Sequence, residues 1–548
     1  MEGGGCPLAK LGWVDMRPFP PVEASMSHLI SFSRLIPSAR SLALCVAIAS
    51  MGACSGDDEA PPKTDTPGTT PTADTGTPSG DDDDDDDDDT QPLALALTAA
   101  VSPHVPSVMH LVGTAPSGTP DGSTVRATAT PNDGALPVVV AEVPVAADEG
   151  VLVPLNSLVQ SASYVVTIAL LDDTEAELAS DELSLTAPVP PNALTFITGV
   201  NTASPIAPAY IALALIGGDD SSYLAIVDDQ ARVVWWRPAE EGQIIITPML
   251  SRDGESLVWG EYDVTKLDDT GTWHRVRLDG TEATSRRLQL SHHAAVELPT
   301  GDLAWLAFDF RDVLNTDGVT RRMATDRLFV GPEAYEPDPT ELFNTFDDVP
   351  NDPTLTCEHM TGDFDRFDER DIIEWTHGNS LAYVDSENAL YINAKQTDWV
   401  LKVDATTGEL LWQLGGIGGD FTYPDGSPTW TSAQEPTLFS HAHMSHVWEG
   451  GMVTFDNGDH RTPKVSSAAE LAWDETGRTV ERVWEFYHPG GGHTFPLGDV
   501  KKLSDGSYLV GWGALSEVMV VDPDQSVRWH ATVPSLFTLG RIVPMETL

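Results

Sequence analysis

The sequence is poor in cysteine, with only four in 548 residues, at Cys6, Cys45, Cys54 and Cys357. The first three lie within the N-terminal 54 residues, so Cys357 alone remains in the part expected to fold. An intramolecular disulfide framework is therefore excluded there. We interpret Cys357 as an unpaired thiol on an acidic loop.

Basic residues are also scarce, with 30 Lys and Arg against 84 Asp and Glu and a formal net charge of −54. Nucleic-acid binding requires clustered cationic side chains that contact phosphates, so this charge balance excludes nucleic acid as a partner. A site for a small anion must be locally cationic. The acidic run at residues 81–89 is entirely Asp, and its charge repulsion keeps it solvated.

Long hydrophobic runs are missing too, since the apolar segment at residues 42–50 is too short for a permanent membrane span. Two arginines precede it and Met51-Gly52-Ala53-Cys54 follows it, which resembles a bacterial lipobox. We predict a lipoprotein signal peptide at residues 1–54, with Met26 as the true start and Cys54 as the lipid anchor. The protein is then exported to the periplasmic face, the outer membrane or the cell surface; secretion without a lipid is the alternative.

Glycine and proline, in contrast, are abundant at 45 and 41 residues, which indicates many turns and favours an all-β protein. Residues 55–92 are Asp, Thr, Pro, Gly and Ser with almost nothing apolar, typical of an extended disordered tether. Residues 93–190 contain about seven short β-branched stretches, such as 124–129 and 163–168. They predict a small immunoglobulin-like or fibronectin-like β-sandwich.

Residues 194–548 repeat a two-hairpin pattern of about 50 residues, which predicts a β-propeller of about six blades. The first hairpin turns at Asp253-Gly254, Thr300-Gly301, Asp385 to Asn388, Gly450-Gly451 and Asp505-Gly506. The second hairpin ends in Trp235, Trp412, Trp484 or Trp529. Residues 309–370 are too long and acidic for a plain turn and are predicted to be an insertion.

Several of the 15 histidines fall just before the first hairpin of successive repeats: His292, His293, His377, His441, His443, His446 and His493. Equivalent positions in a propeller face one shared axis, so we expect these imidazoles to converge there. On a regular strand, His441 and His443 project from one face and His446 from the other.

Segments 375–380, 400–416, 455–458 and 498–513, together with Phe439-Ser440 and His443, resemble the bacterial arylsulfotransferase family in order along the chain. The resemblance implies a six-bladed propeller after a small β domain, in an exported enzyme that moves a sulfuryl group from an aryl sulfate to a phenol. It implies no cofactor, no nucleotide and no metal. The sequence leaves a homodimer open.

The resemblance places the nucleophile at His443 and supporting histidines at His293 and His377. Residues expected to contact substrate are Asn379, His441, His493 and His292. The family's active-site arginine falls near Asn393-Ala394-Lys395-Gln396, so Lys395 is the nearest cation, without the fork geometry of arginine. Trp448 and Phe495 could stack on the aryl ring, with packing inside a blade as the alternative.

Two other functions fit the same histidines. In one, His441 and His443, with His377 or His493, bind zinc or copper in a metalloenzyme on the propeller axis. In the other, the propeller is a non-catalytic binding platform of a cell-envelope lipoprotein, which the loss of the arginine favours.

Overall fold

The computed structural model describes residues 93–548 except 202–207, 218–220, 246, 264–270, 289, 315–317, 333–337, 351–371, 433–434, 437 and 535. Residues 91–548 form one compact unit, and residues 1–90 are assigned to a second. The signal peptide, Cys54, the tether and Cys357 lie outside the described residues, so the predictions for them stay predictions. Within the described part, no helix has the length and apolar character needed to cross a membrane.

The described chain is almost entirely β, as predicted, and it begins with seven strands that form two antiparallel sheets. The strands are β1 (Leu97–Val101), β2 (Met109–Thr114), β3 (Thr124–Pro131), β4 (Val139–Pro144), β5 (Gly150–Leu155), β6 (Ser163–Leu171) and β7 (Glu177–Thr186). One sheet has the order β1-β2-β5 and the other β4-β3-β6-β7. Apolar residues alternate along β3 and β6, and both sheets contribute to a single core, which includes Leu111, Val153, Val125 and Ile168.

After a 3-10 turn at Asn192–Phe196, the chain continues as strand hairpins. The first strands of this region are β8 (Thr198–Asn201), β9 (Tyr210–Gly217), β10 (Ser222–Asp228), β11 (Val233–Pro238), β12 (Ile244–Ile245), β13 (Met249–Leu250), β14 (Ser256–Tyr262), β15 (Gly271–Arg277) and β16 (Ala283–Leu288). They are followed by β17 (Ser291–Glu297), β18 (Asp302–Leu314), β19 (Thr320–Pro332), β20 (Thr340–Asn344), the short helix α1 (Thr345–Asp348) and β21 (Ile372–Glu374).

The remaining strands complete the C-terminal half. They are β22 (Gly378–Val384), β23 (Ala389–Ala394), β24 (Trp399–Asp404), β25 (Leu410–Leu414), β26 (Trp430–Ser432), β27 (Glu435–Pro436), β28 (His443–Trp448), β29 (Gly451–Asp456), β30 (Ser467–Asp474) and β31 (Thr479–Tyr487). The last are β32 (Asp499–Lys502), β33 (Tyr508–Gly511), β34 (Glu517–Val521), β35 (Val527–Thr532) and β36 (Phe537–Met545).

These strands form a series of four- and five-stranded sheets, each built from consecutive hairpins. The sheets are β36-β9-β10-β11, β12 to β16, β17 to β21, β22-β23-β24-β25, β28-β29-β30-β31 and β32-β33-β34-β35-β8; β26 and β27 pair separately. The predicted first hairpins are present, and their turns use left-handed residues such as Asn388 (φ 48°) and Gly506 (φ 85°). The repeat tryptophans Trp235, Trp412 and Trp529 are buried.

Both ends of this region pair with sheets from the opposite end. The C-terminal strand β36 pairs with β9, and the early strand β8 pairs with β35. We call the strand of each sheet that faces the centre its leading strand. The leading strands contact one another in series: β17 contacts β22, β22 contacts β28, β28 contacts β32, and β32 contacts β36. The sheet β12 to β16 lies between the two ends of this series, since β13 contacts β36 and β14 contacts β17. The starts of these strands therefore surround one common centre, as expected for a propeller-like fold.

The prediction of an insertion at residues 309–370 is wrong for its first part. Strands β18 and β19 continue as a 13-residue antiparallel pair through residues 302–332, and β20 adds to β19. The acidic side chains of this segment are tolerated because the far end of the hairpin is solvent-exposed. Residues 351–371 lie outside the described part of the chain.

Candidate active site

Three histidines of the repeat share an uncommon backbone conformation at the start of a leading strand. His293, His377 and His441 have φ angles of 51°, 55° and 54°. The leading strands β17, β22 and β28 each contain a register shift near that point. Left-handed residues and bulges redirect side chains at strand ends and are common at functional sites. The shared geometry places these histidines at corresponding positions in three successive sheets.

The expectation that His441 and His443 project from one face of a regular strand is wrong. His441 precedes β28, and the left-handed Met444 (φ 39°) interrupts the pleat after His443. Both His441 and His443 are buried, whereas His446 is half-buried, accepts a hydrogen bond from the backbone of Lys502 and contacts Trp448. The bulge, rather than the two-residue period of a strand, determines where each imidazole points.

His443 is held in one tautomer by Asn457. Its Nδ1 lies 2.6 Å from Asn457 Oδ1. The Asn457 amide nitrogen donates to the carbonyls of Thr494, Leu497 and Phe495 at 2.7, 3.0 and 3.3 Å, so Oδ1 must be the atom that faces His443. Nδ1 of His443 is therefore the donor, and Nε2 carries the lone pair. Among the described residues no hydrogen-bond partner contacts Nε2.

The environment of His443 keeps its imidazole neutral. Burial lowers the pKa of His443 well below its usual value, and the positive charge of Lys395 lowers it further, with smaller effects from His377 and His441. The bond to Asn457 acts in the opposite direction but does not compensate. At neutral pH, Nε2 of His443 is thus an unprotonated nitrogen.

The backbone before His443 is fixed by two buried amides. Asn379 donates to the Ala442 carbonyl at 3.0 Å, and Asn393 donates to the same carbonyl at 2.8 Å and to Asn379 Oδ1 at 2.8 Å. Asn379 was predicted to contact substrate, and this stays a prediction. Its buried amide binds protein groups through both its nitrogen and its oxygen and so positions residues 442–443.

The other predicted histidines lie together beside buried carboxylates. The rings of His293 and His377 are 4.5 Å apart, and His292 Nδ1 lies 3.1 Å from His293 Nδ1. His377 Nδ1 lies 2.6 Å from Glu374 Oε2, and His292 Nε2 lies 3.1 Å from an oxygen of Asp326. Two imidazoles therefore have an acidic partner that fixes the orientation of the ring.

The carboxylates beside these histidines are ionised despite burial. Burial alone would raise the pKa of Glu374, but His377 and Lys395 outweigh it and the pKa is lowered. Burial likewise opposes ionisation of Asp326, yet His292, Thr376 and the Gly378 amide lower its pKa. Asp326 and Glu374 were not predicted as site residues. Glu374 could have been found from its i, i+3 spacing to His377, whereas Asp326 is 50 residues away from Thr376 and only the fold brings it close.

Lys395 is buried at the turn between β23 and β24 and lies close to these groups. Its backbone N–H donates to the His377 carbonyl at 3.1 Å, and its ammonium lies 4.5 Å from the centre of the Phe495 ring. Its charge affects the pKa of His443 and of Glu374. The structure therefore brings Lys395 and Phe495 to the same place as His443. Trp448 packs instead against Lys502 at 5.1 Å, which favours its role in packing.

A second group of histidines lies around Asp459, another residue that the sequence analysis missed. His493 Nε2 lies 2.8 Å from Asp459 Oδ1. His441 stacks on His460 with a ring separation of 4.7 Å, and their Nε2 atoms are 2.7 Å apart. Burial opposes ionisation of Asp459, but the hydrogen bond with His493 and the nearby His441 and Lys395 outweigh it and lower the pKa of Asp459. The run Asp456-Asn457-Gly458-Asp459-His460, which begins at the last residue of β29, is the sequence signal for this group.

The loop that carries His441 rests on two buried aspartates. Asp398 Oδ1 accepts the His441 N–H at 2.6 Å, and Asp456 Oδ1 accepts the Ser440 N–H at 2.9 Å. Burial raises the pKa of Asp398 to about 8, and the nearby Asp456 and Asp459 add to the rise. Ser440 and His441 lie before β28, so the two carboxylates accept backbone N–H groups that strand pairing does not satisfy.

The metalloenzyme alternative concerns four histidines of successive repeats, His377, His441, His443 and His493. Among the residues that the structure describes, the one group of three whose ligand atoms all lie within 4.8 Å of one another is Glu240, Glu261 and His274. His377, His441, His443 and His493 are not part of such a group. The arrangement is better suited to nucleophilic and acid–base chemistry.

Comparison with known proteins gives one family match. The family model described as arylsulfotransferase (ASST) matches residues 188–534. No curated protein matches the chain. Solved structures with similar chains include a Bacteroides caccae protein of unknown function, at 12% identity over 62% of this chain and 100% of that chain with a TM-score of 0.35. Another is apo AztD from Citrobacter koseri, at 10% identity over 77% of this chain and 98% of that chain with a TM-score of 0.30. A third is the β-propeller domain of the Trilobed protease from Pyrococcus furiosus, at 8% identity over 80% of this chain and 93% of that chain with a TM-score of 0.27.

Proposed function

The chain belongs to the arylsulfotransferase family, and we propose that it transfers a sulfuryl group from an aryl sulfate to a phenol through a sulfohistidine at His443, without a nucleotide. The observation that carries the proposal is the state of His443. Its Nδ1–H is bound by Asn457 and its neutral Nε2 has a lone pair that no described residue uses. An imidazole fixed in this way is a pre-organised nucleophile.

In the proposed fold, the six consecutive sheets after residue 197 are the blades of a six-bladed propeller, preceded by an immunoglobulin-like or fibronectin-like sandwich. The early strand β8 pairs with β35 in the last sheet, and the C-terminal strand β36 pairs with β9 in the first sheet. These pairings support closure of the ring. The contacts among leading strands support a common axis. The reaction takes place where the starts of β17, β22 and β28 meet.

In the first step, Nε2 of His443 attacks the sulfur of the donor. The new S–N bond forms while the bond between sulfur and the aryl oxygen breaks, and the bonding electron pair leaves with that oxygen. His377, stabilised by Glu374 at 2.6 Å, supplies the proton to the departing phenolate. Lys395 and His293 stabilise negative charge on the sulfuryl oxygens.

In the second step, the phenolic acceptor occupies the place of the departed phenol. Its oxygen attacks the sulfur, its proton passes to His377, and the S–N bond breaks so that His443 regains its lone pair. The same groups therefore act in both directions, and the donor ester itself supplies the activated sulfuryl group. A nucleotide is not needed.

The test is transfer from 4-nitrophenyl sulfate to phenol, followed by release of 4-nitrophenol. We expect His443→Ala to lower the rate by at least about 10³-fold, the order seen when a catalytic nucleophile is removed. His530→Gln is the matched control, because this half-buried histidine lies on β35, outside the sheets that carry His293, His377 and His443, and pairs with Glu517 on the neighbouring β34. Donor without acceptor should leave one sulfuryl group on the peptide that contains His443.

Two results would contradict the proposal. Equal rates for the wild type and His443→Ala would remove His443 as the nucleophile. Negligible transfer by the wild type, together with binding of aryl sulfates, would favour the non-catalytic binding propeller.

A further inference from the structure

A second cluster of polar side chains lies on the sheet β12 to β16, apart from the candidate active site. Glu261 is on β14 and His274 is on β15. The register pairs Trp259 with His274 and Glu261 with Thr272, so Glu261 and His274 are diagonal neighbours on one face. The loop after β11 brings Glu240 to the same place, since its N–H donates to Glu261 Oε2 at 2.9 Å.

His274 is buried without a hydrogen-bond partner at one nitrogen. Its side chain is only 5% exposed, and no described residue forms a hydrogen bond to Nε2. The nearest carboxylate oxygen, Glu261 Oε1, is 3.7 Å away, too far for a hydrogen bond. Buried polar atoms are normally satisfied, so this nitrogen indicates a ligand. Its ring is fixed by stacking on Trp259 at 5.3 Å.

The carboxylates that surround this nitrogen are placed for coordination. Glu261 is 1% exposed and accepts the Trp259 indole N–H at 2.9 Å, which orients its carboxylate and leaves lone pairs unused. One ligand atom from each of Glu240, Glu261 and His274 lies within 4.8 Å of the other two. Ligand atoms around a tetrahedral zinc ion are about 3.3 to 3.6 Å apart, so a small movement of the exposed Glu240 completes the set.

We propose that Glu240, Glu261 and His274 bind one Zn²⁺ ion, with water in the fourth position. An imidazole together with two carboxylates suits zinc, whereas Ca²⁺ and Mg²⁺ take oxygen ligands only. The guanidinium of Arg237 lies over Trp259 at 5.2 Å and offsets one of the two carboxylate charges. One negative charge therefore remains at the site to attract a divalent cation.

The role of this ion is structural. It joins the loop after β11 to β14 and β15, which pair with each other as antiparallel strands. None of its ligands belongs to the residues proposed for sulfuryl transfer. A metal that binds only the folded chain raises the melting temperature.

The test uses the purified chain, stripped with a chelator and dialysed, then titrated calorimetrically with Zn²⁺ and analysed for bound metal. We expect one equivalent for the wild type, and binding at least about tenfold weaker for Glu240→Gln and Glu261→Gln. Glu241→Gln, an exposed neighbour, is the matched control and keeps wild-type binding. Zn²⁺ should raise the melting temperature of the wild type and of Glu241→Gln only.

His443→Ala distinguishes this site from zinc bound by the histidines of the axis. Retention of one equivalent in His443→Ala supports the proposal. The proposal is overturned if the wild type binds no Zn²⁺, if Glu240→Gln and Glu261→Gln bind as tightly as the wild type, or if His443→Ala alone loses the ion. Because Glu240 is exposed, Glu240→Gln tests the site even if Glu261→Gln does not fold.

Discussion

Replacement of Asn457 is the sharpest test of how His443 is activated. Asn457 Oδ1 accepts from His443 Nδ1 at 2.6 Å, while its amide nitrogen is used by backbone carbonyls, including that of Thr494. In Asn457→Ala the Nδ1 acceptor is lost, so the lone pair is no longer confined to Nε2. The positive charge that develops on His443 during attack also loses its partner.

The size of the effect follows from that single contact. The bond is between neutral groups in the ground state and becomes charge-assisted as the imidazole attacks sulfur. A hydrogen bond to a charged group contributes about 1.5 to 3 kcal/mol. At about 1.4 kcal/mol for each factor of ten, we expect kcat to fall by about 10-fold to 150-fold. The melting temperature should fall as well, because buried carbonyls lose their donor.

A pH profile separates this effect from a loss of structure. The pKa of His443 lies well below 6.5, so we expect no acid limb for the wild type between about pH 6 and 8. In Asn457→Asp a buried negative charge at Nδ1 raises the pKa of His443, and protonation then removes the nucleophile as pH falls. The acid limb of kcat/KM should therefore move to higher pH and become visible between about pH 5 and 9.

The assay is the initial rate of 4-nitrophenol release from pH 5 to 9, with melting temperatures measured in the same buffers. A lower melting temperature with an unchanged acid limb in Asn457→Asp would mean that Asn457 only supports the fold. Wild-type kcat for Asn457→Ala would refute the reasoning about the tautomer.

Substitutions at three further positions, Glu374, Lys395 and Asp398, test the charges around the site. Glu374→Gln removes the carboxylate that lies 2.6 Å from His377 Nδ1, so we expect kcat for 4-nitrophenol release to fall about 10-fold to 100-fold. Lys395→Met should reduce transfer strongly, whereas Lys395→Arg keeps the charge and should retain activity. Lys502→Met is the control, because the Lys502 ammonium pairs with Glu470. Since the pKa of Asp398 is raised to about 8, its stabilising protonated form is present at low pH and lost as pH rises from about 4 to 8. Asp398→Asn keeps an acceptor for the His441 N–H without the charge, so its melting temperature should exceed that of the wild type at pH 8.5 and match it near pH 4.

Much of the architecture can be predicted from turn residues and spacing alone. Asn388 and the glycines at 301 and 506 mark hairpins that the structure contains, because few residues adopt left-handed turns without strain. The error at residues 309–344 has a physical cause. Long strands with charged, exposed outer ends have no continuous apolar pattern, and composition alone cannot distinguish them from a loop.

Only the part of the candidate site that lies at corresponding positions of the repeats could be predicted from the sequence. Corresponding repeat positions indicated that His293 and His377 would meet, and their rings are 4.5 Å apart. The bulge at His443 was not predictable, because a register shift depends on the neighbouring strand. Asn457 lies 14 residues after His443 and Asp326 lies 52 residues before Gly378, so pairwise sequence spacing gave no signal for them.

The pairing of carboxylates with imidazoles explains how a chain with a net charge of −54 can hold an anionic substrate. Glu374 and Asp459 are each within 2.8 Å of a histidine nitrogen, so their charge is partly neutralised. In the proposed mechanism these carboxylates also fix the orientation of the imidazoles that face the sulfuryl oxygens. In the proposed mechanism the buried acidic residues are therefore needed for anion binding, and removing one should weaken the transfer of an anionic donor rather than improve it.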